Sequence, residues 1–215
     1  MKSSEPGVAV TPCIGSLNCG NAISVRSTRL RVAVRKNVLV TGRPGIGKTT
    51  VVLKVAEILR ARGLVVGGMV SREVRRGGVR VGFLLRDLLT GDEGYLARVG
   101  AGRPRVGKYV VLLDELERVG VGAIERAIRD ADVVIIDEIG PMENYSRRFR
   151  SAVLEALSSP KPVLATIHVR ARRDPFGRQV LSRNDCELIE VTFSNRNSLP
   201  SRIAEKLCQA LPPPL

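Results

Sequence analysis

The stretch from Val38 to Thr50 narrows the possible folds of this chain more than any other. Val38-Leu39-Val40 is a short branched apolar run, the composition of a strand buried inside a sheet. It leads through Thr41 into Gly42-Arg43-Pro44-Gly45-Ile46-Gly47-Lys48-Thr49-Thr50, and Val51, Val52, Val55, Ile58 and Leu59 follow at helical spacing. A strand, then Gly-x-x-x-x-Gly-Lys-Thr, then a helix start is the pattern of a phosphate-binding loop. Such a loop turns successive backbone N–H groups toward a polyphosphate, which glycine allows because it lacks a Cβ and tolerates positive φ. The helix adds its unpaired N–H groups and the positive end of its dipole. Gly42 to Thr50 are therefore the expected nucleotide-binding residues, with Lys48 reaching the β and γ oxygens and the Thr49 hydroxyl a ligand for Mg²⁺. By chance this spacing arises in under about one chain in a hundred of this length. It points to a bound nucleotide and is silent about the reaction.

A second landmark lies at Ala131-Asp132-Val133-Val134-Ile135-Ile136-Asp137-Glu138. Four consecutive branched residues fit a strand buried on both faces of a parallel sheet. Its carboxyl end delivers Asp137 and Glu138 to the edge where ligands sit in open α/β folds. Asp137 is expected to hold Mg²⁺ through a water, beside Thr49, and to belong with Glu138 to the nucleotide site. Glu138 is expected to orient and deprotonate a water in line with the γ-phosphate, which makes Glu138 and Lys48 the expected catalytic residues. The plainer alternative for Glu138 is a solvent-facing acid or a salt-bridge partner. Charge developing on the transferred group also needs cations, and Arg43, Arg72, Arg75, Arg76, Arg103, Arg147 and Arg148 are all candidates among which the sequence does not choose. His168, after the strand pattern Leu164-Ala165-Thr166-Ile167, either senses the γ-phosphate or is structural.

The remaining pattern alternates strands and helices. A strand over 64–74, interrupted at Gly67-Gly68, is expected to turn at Arg75-Arg76-Gly77-Gly78 into a returning strand over 79–89. The glycine-dense segment 90–107 is expected to be mostly loop, with a short strand at 108–113, a short helix capped by Asp114 and a separate helix over 121–130. A helix over 146–157, a strand over 162–167, a charged loop over 170–185, a strand over 188–193 and a last helix from Ser198 and Pro200 to about Leu211 complete the pattern. The expected fold class is α/β: a single doubly wound P-loop domain over 37–212 with a β-hairpin insertion, preceded by a flexible leader over 1–36 in which Val32-Ala33-Val34 adds a little strand.

Composition excludes several classes. With 44% hydrophobic and 26% charged residues and no apolar run near the ~20 needed to span a bilayer, no membrane partner is expected. The first residues do not read as a secretory signal, so a cytoplasmic location is expected, as a monomer. Cys13, Cys19, Cys186 and Cys208 form no Cys-x-x-Cys pair and His168 is the single histidine, so zinc-ligand spacing is absent and free thiols are expected. The net charge of +14 would attract polyanions. With only 3% aromatic residues a nucleic-acid partner is possible and not favoured over a charge-rich, heat-adapted surface.

These residues resemble the THEP1-type nucleoside-triphosphatases, relatives of the cancer-related nucleoside-triphosphatase. The likeness runs through Gly42–Thr50, Glu73-Val74-Arg75-x-Gly77-Gly78-x-Arg80-x-Gly82-Phe83, Leu96-x-Arg98-Val99-Gly100 and Val106–Val111. It continues through Asp137-Glu138-Ile139-Gly140-Pro141-Met142-Glu143, Ala165-Thr166-Ile167 and Asn195-Arg196-Asn197, covering roughly residues 37–210. The resemblance implies a RecA-like, mostly parallel sheet flanked by helices, and Mg²⁺-dependent hydrolysis of ATP, GTP, CTP or UTP to the diphosphate with broad base tolerance. His168 stands where relatives often place another residue. Two other uses of the same loop stay open: a nucleotide or polynucleotide kinase, and a nucleotide-gated nucleic-acid-binding protein. An Asn-Lys-x-Asp guanine-reading motif is absent, which argues against a dedicated GTPase.

Overall fold

The structure, a computed structural model, describes residues 35–212. Most of the expected leader, its Val32–Val34 strand, Cys13, Cys19 and the last three residues lie outside the described residues. Lys36, assigned to the leader from sequence, donates its Nζ to the Leu157 carbonyl at 3.0 Å.

Nine strands form one sheet in the order β5-β6-β4-β3-β2-β7-β8-β1-β9. Five of them, β2 (Val66–Arg76), β7 (Val133–Ile139), β8 (Val163–Ile167), β1 (Asn37–Thr41) and β9 (Cys186–Glu190), run parallel to one another. The other four, β3 (Val79–Asp87), β4 (Glu93–Val99), β6 (Tyr109–Val111) and β5 (Arg105–Val106), extend the β2 edge in antiparallel fashion.

The parallel strands are apolar on both faces because helices cover both. On one face Val38, Val40, Val133, Ile135 and Leu164 pack against α1 (Lys48–Ala61) and α6 (Leu199–Gln209). On the other, Leu39, Val134, Ile136, Val163 and Ala165 meet α3 (Gly122–Asp130), α4 (Arg147–Ser158) and α5 (Pro175–Leu181). Ser146 starts α4 by accepting the Phe149 N–H on its hydroxyl, the usual service of an N-cap serine.

Four sequence expectations change. The glycines at 67 and 68 do not interrupt β2; a Cβ at Gly68 would stand 2.0 Å from the Ile135 carbonyl oxygen, so glycine there admits the neighbouring strand. The segment 90–107 contains β4 and β5 in place of a loop. The two helices expected around 114–130 are one continuous element: α2 (Leu113–Glu115) passes through a π-helical stretch, Leu116–Val121, into α3, and Asp114 lies inside it. The 170–185 loop carries α5, whose N-cap Asp174 accepts the Gly177 N–H and whose first residue is Pro175. The hairpin turn is as expected, with Gly77 and Gly78 both at positive φ between β2 and β3.

Among the described residues no helix is long and apolar enough to cross a membrane. Cys186 and Cys208 are free thiols, and burial pushes the Cys186 thiol up to about 11.

Candidate active site

β1 ends at Thr41 and the chain turns through Gly42 to Gly47 before α1 begins at Lys48. Gly45 and Gly47 hold φ of 77° and 107°, positions that a Cβ would strain. Arg43, Pro44 and Gly45 are exposed at the loop's crest. Ile46 is buried beneath it, anchored in the core between the sheet and α1. Lys48 arches back, its Nζ 3.4 Å from the Gly42 carbonyl oxygen. Thr49 faces inward in the first turn of α1, while Thr50 is exposed.

β7 lies two strands away from β1, across β8. Its end carries Asp137 and Glu138 toward the loop. Asp137 is 1% exposed and accepts two hydroxyl hydrogen bonds, from Thr49 Oγ1 to Oδ2 at 2.8 Å and from Thr166 Oγ1 to Oδ1 at 2.6 Å. Burial raises its affinity for a proton, and the two threonines and the positive charge of Lys48 pull the other way. Glu138 turns Oε2 toward Lys48, with Nζ at 3.9 Å, and leaves Oε1 buried without a partner. Burial raises its pKa too, against the pull of Lys48. The sheet register breaks here: β7 and β8 pair through Ile136 and resume at Ile139.

Thr166 and Glu143 join this cluster without having been singled out as site residues from sequence. Thr166 is a hydroxyl in an otherwise apolar strand, and that isolation was its one signal. Glu143 is 5% exposed, and burial together with the nearby Glu138 and Asp137 carboxylates pushes its pKa up to about 8. Gly140 makes the approach possible: a Cβ there would lie 2.9 Å from Glu143 Oε2 and 3.6 Å from Glu138 Oε1.

His168 follows β8. Its backbone N–H donates to the Ile139 carbonyl, and its Nδ1 accepts the Arg170 N–H at 3.2 Å, which leaves Nε2 as the protonated nitrogen of the neutral ring. Burial, Lys48 and Arg170 all lower its pKa, so the ring is neutral at pH 7. Beside it a cavity of about 550 Å³ opens between the ends of β7 and β8, lined by Ile139, Gly140, Pro141, Tyr145, His168 and Arg170 among others.

Of the candidate arginines, Arg72, Arg75 and Arg148 are engaged with Glu93, Glu73 and the pair Glu117/Glu125 respectively. Arg43 is exposed within the loop itself. Arg76 and Arg103 belong to the antiparallel end of the sheet, Arg76 closing β2 and Arg103 preceding β5.

The donor set suits a small hard cation. Thr49 Oγ1 and Asp137 Oδ2 are oxygens within 2.8 Å of each other, facing the loop. No three histidine, cysteine or carboxylate ligands converge among the described residues. Such an ion would take its other ligands from phosphate and water.

A glycine loop on β1, an acidic tip two strands away and a fifth parallel strand on the far side of β1 together define a P-loop nucleoside-triphosphatase fold. A family model described as NTPase matches residues 37–204. The nucleoside-triphosphatase THEP1 of Thermofilum pendens is 62% identical over 173 residues, 80% of this chain and 95% of that protein. The THEP1 of Methanopyrus kandleri is 47% identical over 175 residues, 81% and 97% of the two chains. Among solved structures, the crystal structure of THEP1 from Aquifex aeolicus superposes with a TM-score of 0.69 at 32% identity, covering 80% of this chain and 98% of that one. The solution structure of a human cancer-related nucleoside triphosphatase gives 0.67 at 38%, covering 79% and 95%. The chain belongs to the THEP1 nucleoside-triphosphatase family.

Proposed function

We propose that this protein hydrolyses nucleoside 5′-triphosphates to the diphosphate and phosphate, with Mg²⁺ and with broad tolerance of the base. The observation that supports it most is the meeting of the two strand tips, with Lys48 Nζ 3.9 Å from Glu138 Oε2 and Thr49 hydrogen-bonded to Asp137. In this reading Gly42 to Thr50 wrap the phosphates with backbone N–H groups and the α1 N-terminus. Lys48 leaves Glu138 to meet the β and γ oxygens. Thr49 and Asp137 would hold Mg²⁺, which would supply positive charge against the phosphates when bound. Glu138 Oε2 then accepts a proton from a water aligned with the γ-phosphorus. Thr166 fixes Asp137 from behind, and Nε2–H of His168 is a donor on the γ-phosphate side. Residues 37–212 act as one domain, as a monomer in the cytoplasm, where thiols such as Cys186 and Cys208 stay reduced.

The test is phosphate release from ATP, GTP, CTP and UTP, with and without Mg²⁺. Turnover of all four that stops on chelation is the expected result. No release above background from any of them sinks the reading. The cavity beside His168 supports a second reading, transfer of the same phosphoryl group to a hydroxyl-bearing acceptor. Labelled phosphate that reaches a nucleoside or an RNA end faster than water would favour it.

A further inference from the structure

Phe193 is the most exposed large hydrophobic residue among those described, at 76%, and nothing so far gives it work. Its position is built. The chain leaves β9 at Glu190, and the Val191 N–H donates to the Thr41 carbonyl at 2.8 Å. A Cβ on Gly42 would lie 3.0 Å from the Val191 carbonyl oxygen, so this segment runs directly against the root of the phosphate loop.

The next residues form a locked turn. Asn195 Oδ1 accepts the Thr192 N–H at 2.8 Å, Asn195 Nδ2 donates to the Glu190 carbonyl at 2.9 Å, and the Thr192 and Ser194 hydroxyls bond each other at 2.9 Å. A side-chain amide that closes a turn in this way fixes its backbone direction. Phe193 sits at the crest of that turn, and the Arg196 guanidinium stands 5.0 Å from its ring centroid.

Sheet order supplies the direction. The loop springs from β1; the acidic tip of β7 lies on one side and the β9 tip adjoins the other. A triphosphate whose terminal phosphate is turned toward Glu138 leads its nucleoside end toward β9. We propose that the Phe193 ring, backed by Arg196, is the stacking platform for the nucleobase of the bound nucleoside triphosphate. The inference rests on the triphosphatase reading above for the orientation of the substrate. Stacking uses the π-face that every base has and reads none of the edges that distinguish bases, so a site of this kind accepts purines and pyrimidines alike. Arg196 adds a cation against the ring's other face.

Dissociation constants for ATP, GTP, CTP, UTP and inorganic tripolyphosphate, measured by calorimetry on the full chain and on Phe193→Ala and Phe193→Tyr, test the platform. Phe193→Ala is expected to weaken all four nucleotides about tenfold or more, the scale of one lost base stack. Tripolyphosphate, which has no base, should keep its affinity within about twofold by the same logic. Phe193→Tyr should restore the nucleotides. Because the side chain is exposed, the Ala variant is expected to fold. Equal nucleotide affinities in wild type and Phe193→Ala would overturn the proposal. So would a parallel loss for tripolyphosphate, which would mean that the loop itself had moved, or a Tyr variant no better than Ala. Phosphate release is scored separately: a wild-type chain that binds nucleotides and does not cleave them defeats the hydrolase reading and leaves the stacking measurement standing.

Discussion

The two ends of the sheet follow different rules. Strands β1, β7 and β8 are covered on both faces, so each reads as a continuous apolar run and carries its chemistry at its tip. Strands β3, β4 and β6 bury one face, through Leu85, Leu96, Ala97, Tyr109 and Val111, against the helical stretch around Leu116, Val119 and Val121. Their other face shows Tyr95 to solvent, and Val79 is exposed at the hairpin end. The antiparallel end is held by side-chain clusters: Arg80 lies over the rings of Phe83 and Tyr109, which meet edge to face at 5.2 Å, and pairs with Glu73. The parallel end thus has little freedom to change and the antiparallel end a good deal more.

The sharpest way to break that comparison is Gly68→Ala. Its Cβ would meet main chain at 2.0 Å inside the parallel half, and we expect a loss above about 4 kcal/mol, seen as little soluble protein. A Gly68→Ala variant of normal melting temperature would mean that the two halves are equally plastic. Next in size is Arg126→Leu. Asp87, fully buried at the end of β3, accepts the Arg126 Nε–H on Oδ2 at 2.8 Å and forms an ion pair with the same guanidinium, Nη2 to Oδ2 2.6 Å. Removing the partner of a buried charge costs about 3 kcal/mol or more in denaturant titrations, which would make this pair the antiparallel end's one rigid joint. Glu138→Gln tests the site and leaves the scaffold alone: turnover should fall about 10²-fold, about 2.7 kcal/mol, with nucleotide affinity kept. Unchanged turnover removes Glu138 from the mechanism. Smallest is Glu73→Ala, which opens the exposed pairs with Arg75 and Arg80 and should change stability by less than about 1 kcal/mol.

The same contrast decides what could be read from sequence. The run Val133–Ile136 admits one reading, and the loop on β1 with Asp137 and Glu138 on β7 came with it. β4 was hidden by Gly94, which resembles a loop glycine and serves a different need. A Cβ there would lie 2.3 Å from Glu115 Oε2, and Arg118 packs alongside, donating to the Glu93 carbonyl. Gly120 is a similar case: it lies inside the helical run, where a Cβ would come 3.0 Å from the Leu116 side chain and 3.2 Å from Met69 Sδ. In both places glycine answers a tertiary neighbour that sequence does not reveal. The start of α5 was legible in Asp174-Pro175 and was masked by the surrounding arginines. Thr166 and Glu143 depend on which strand tips meet, so spacing along the chain could not assign them.

Glu143 also makes the folded protein a store of one proton. Its carboxyl titrates near 8 when folded and near 4.5 when exposed, so between those values the native state keeps a proton that the unfolded chain has released. Stability is therefore highest on the acid side of this window and declines as pH rises through it, by up to about 1.4 kcal/mol per pH unit from this group. Glu143→Gln removes the slope, and should raise the melting temperature more at about pH 8 than at about pH 5. An equal gain at both would show that the side chain ionises freely in the fold. A drift to alkaline pH would, through this one buried acid, loosen the scaffold beneath Glu138, the residue proposed to activate water.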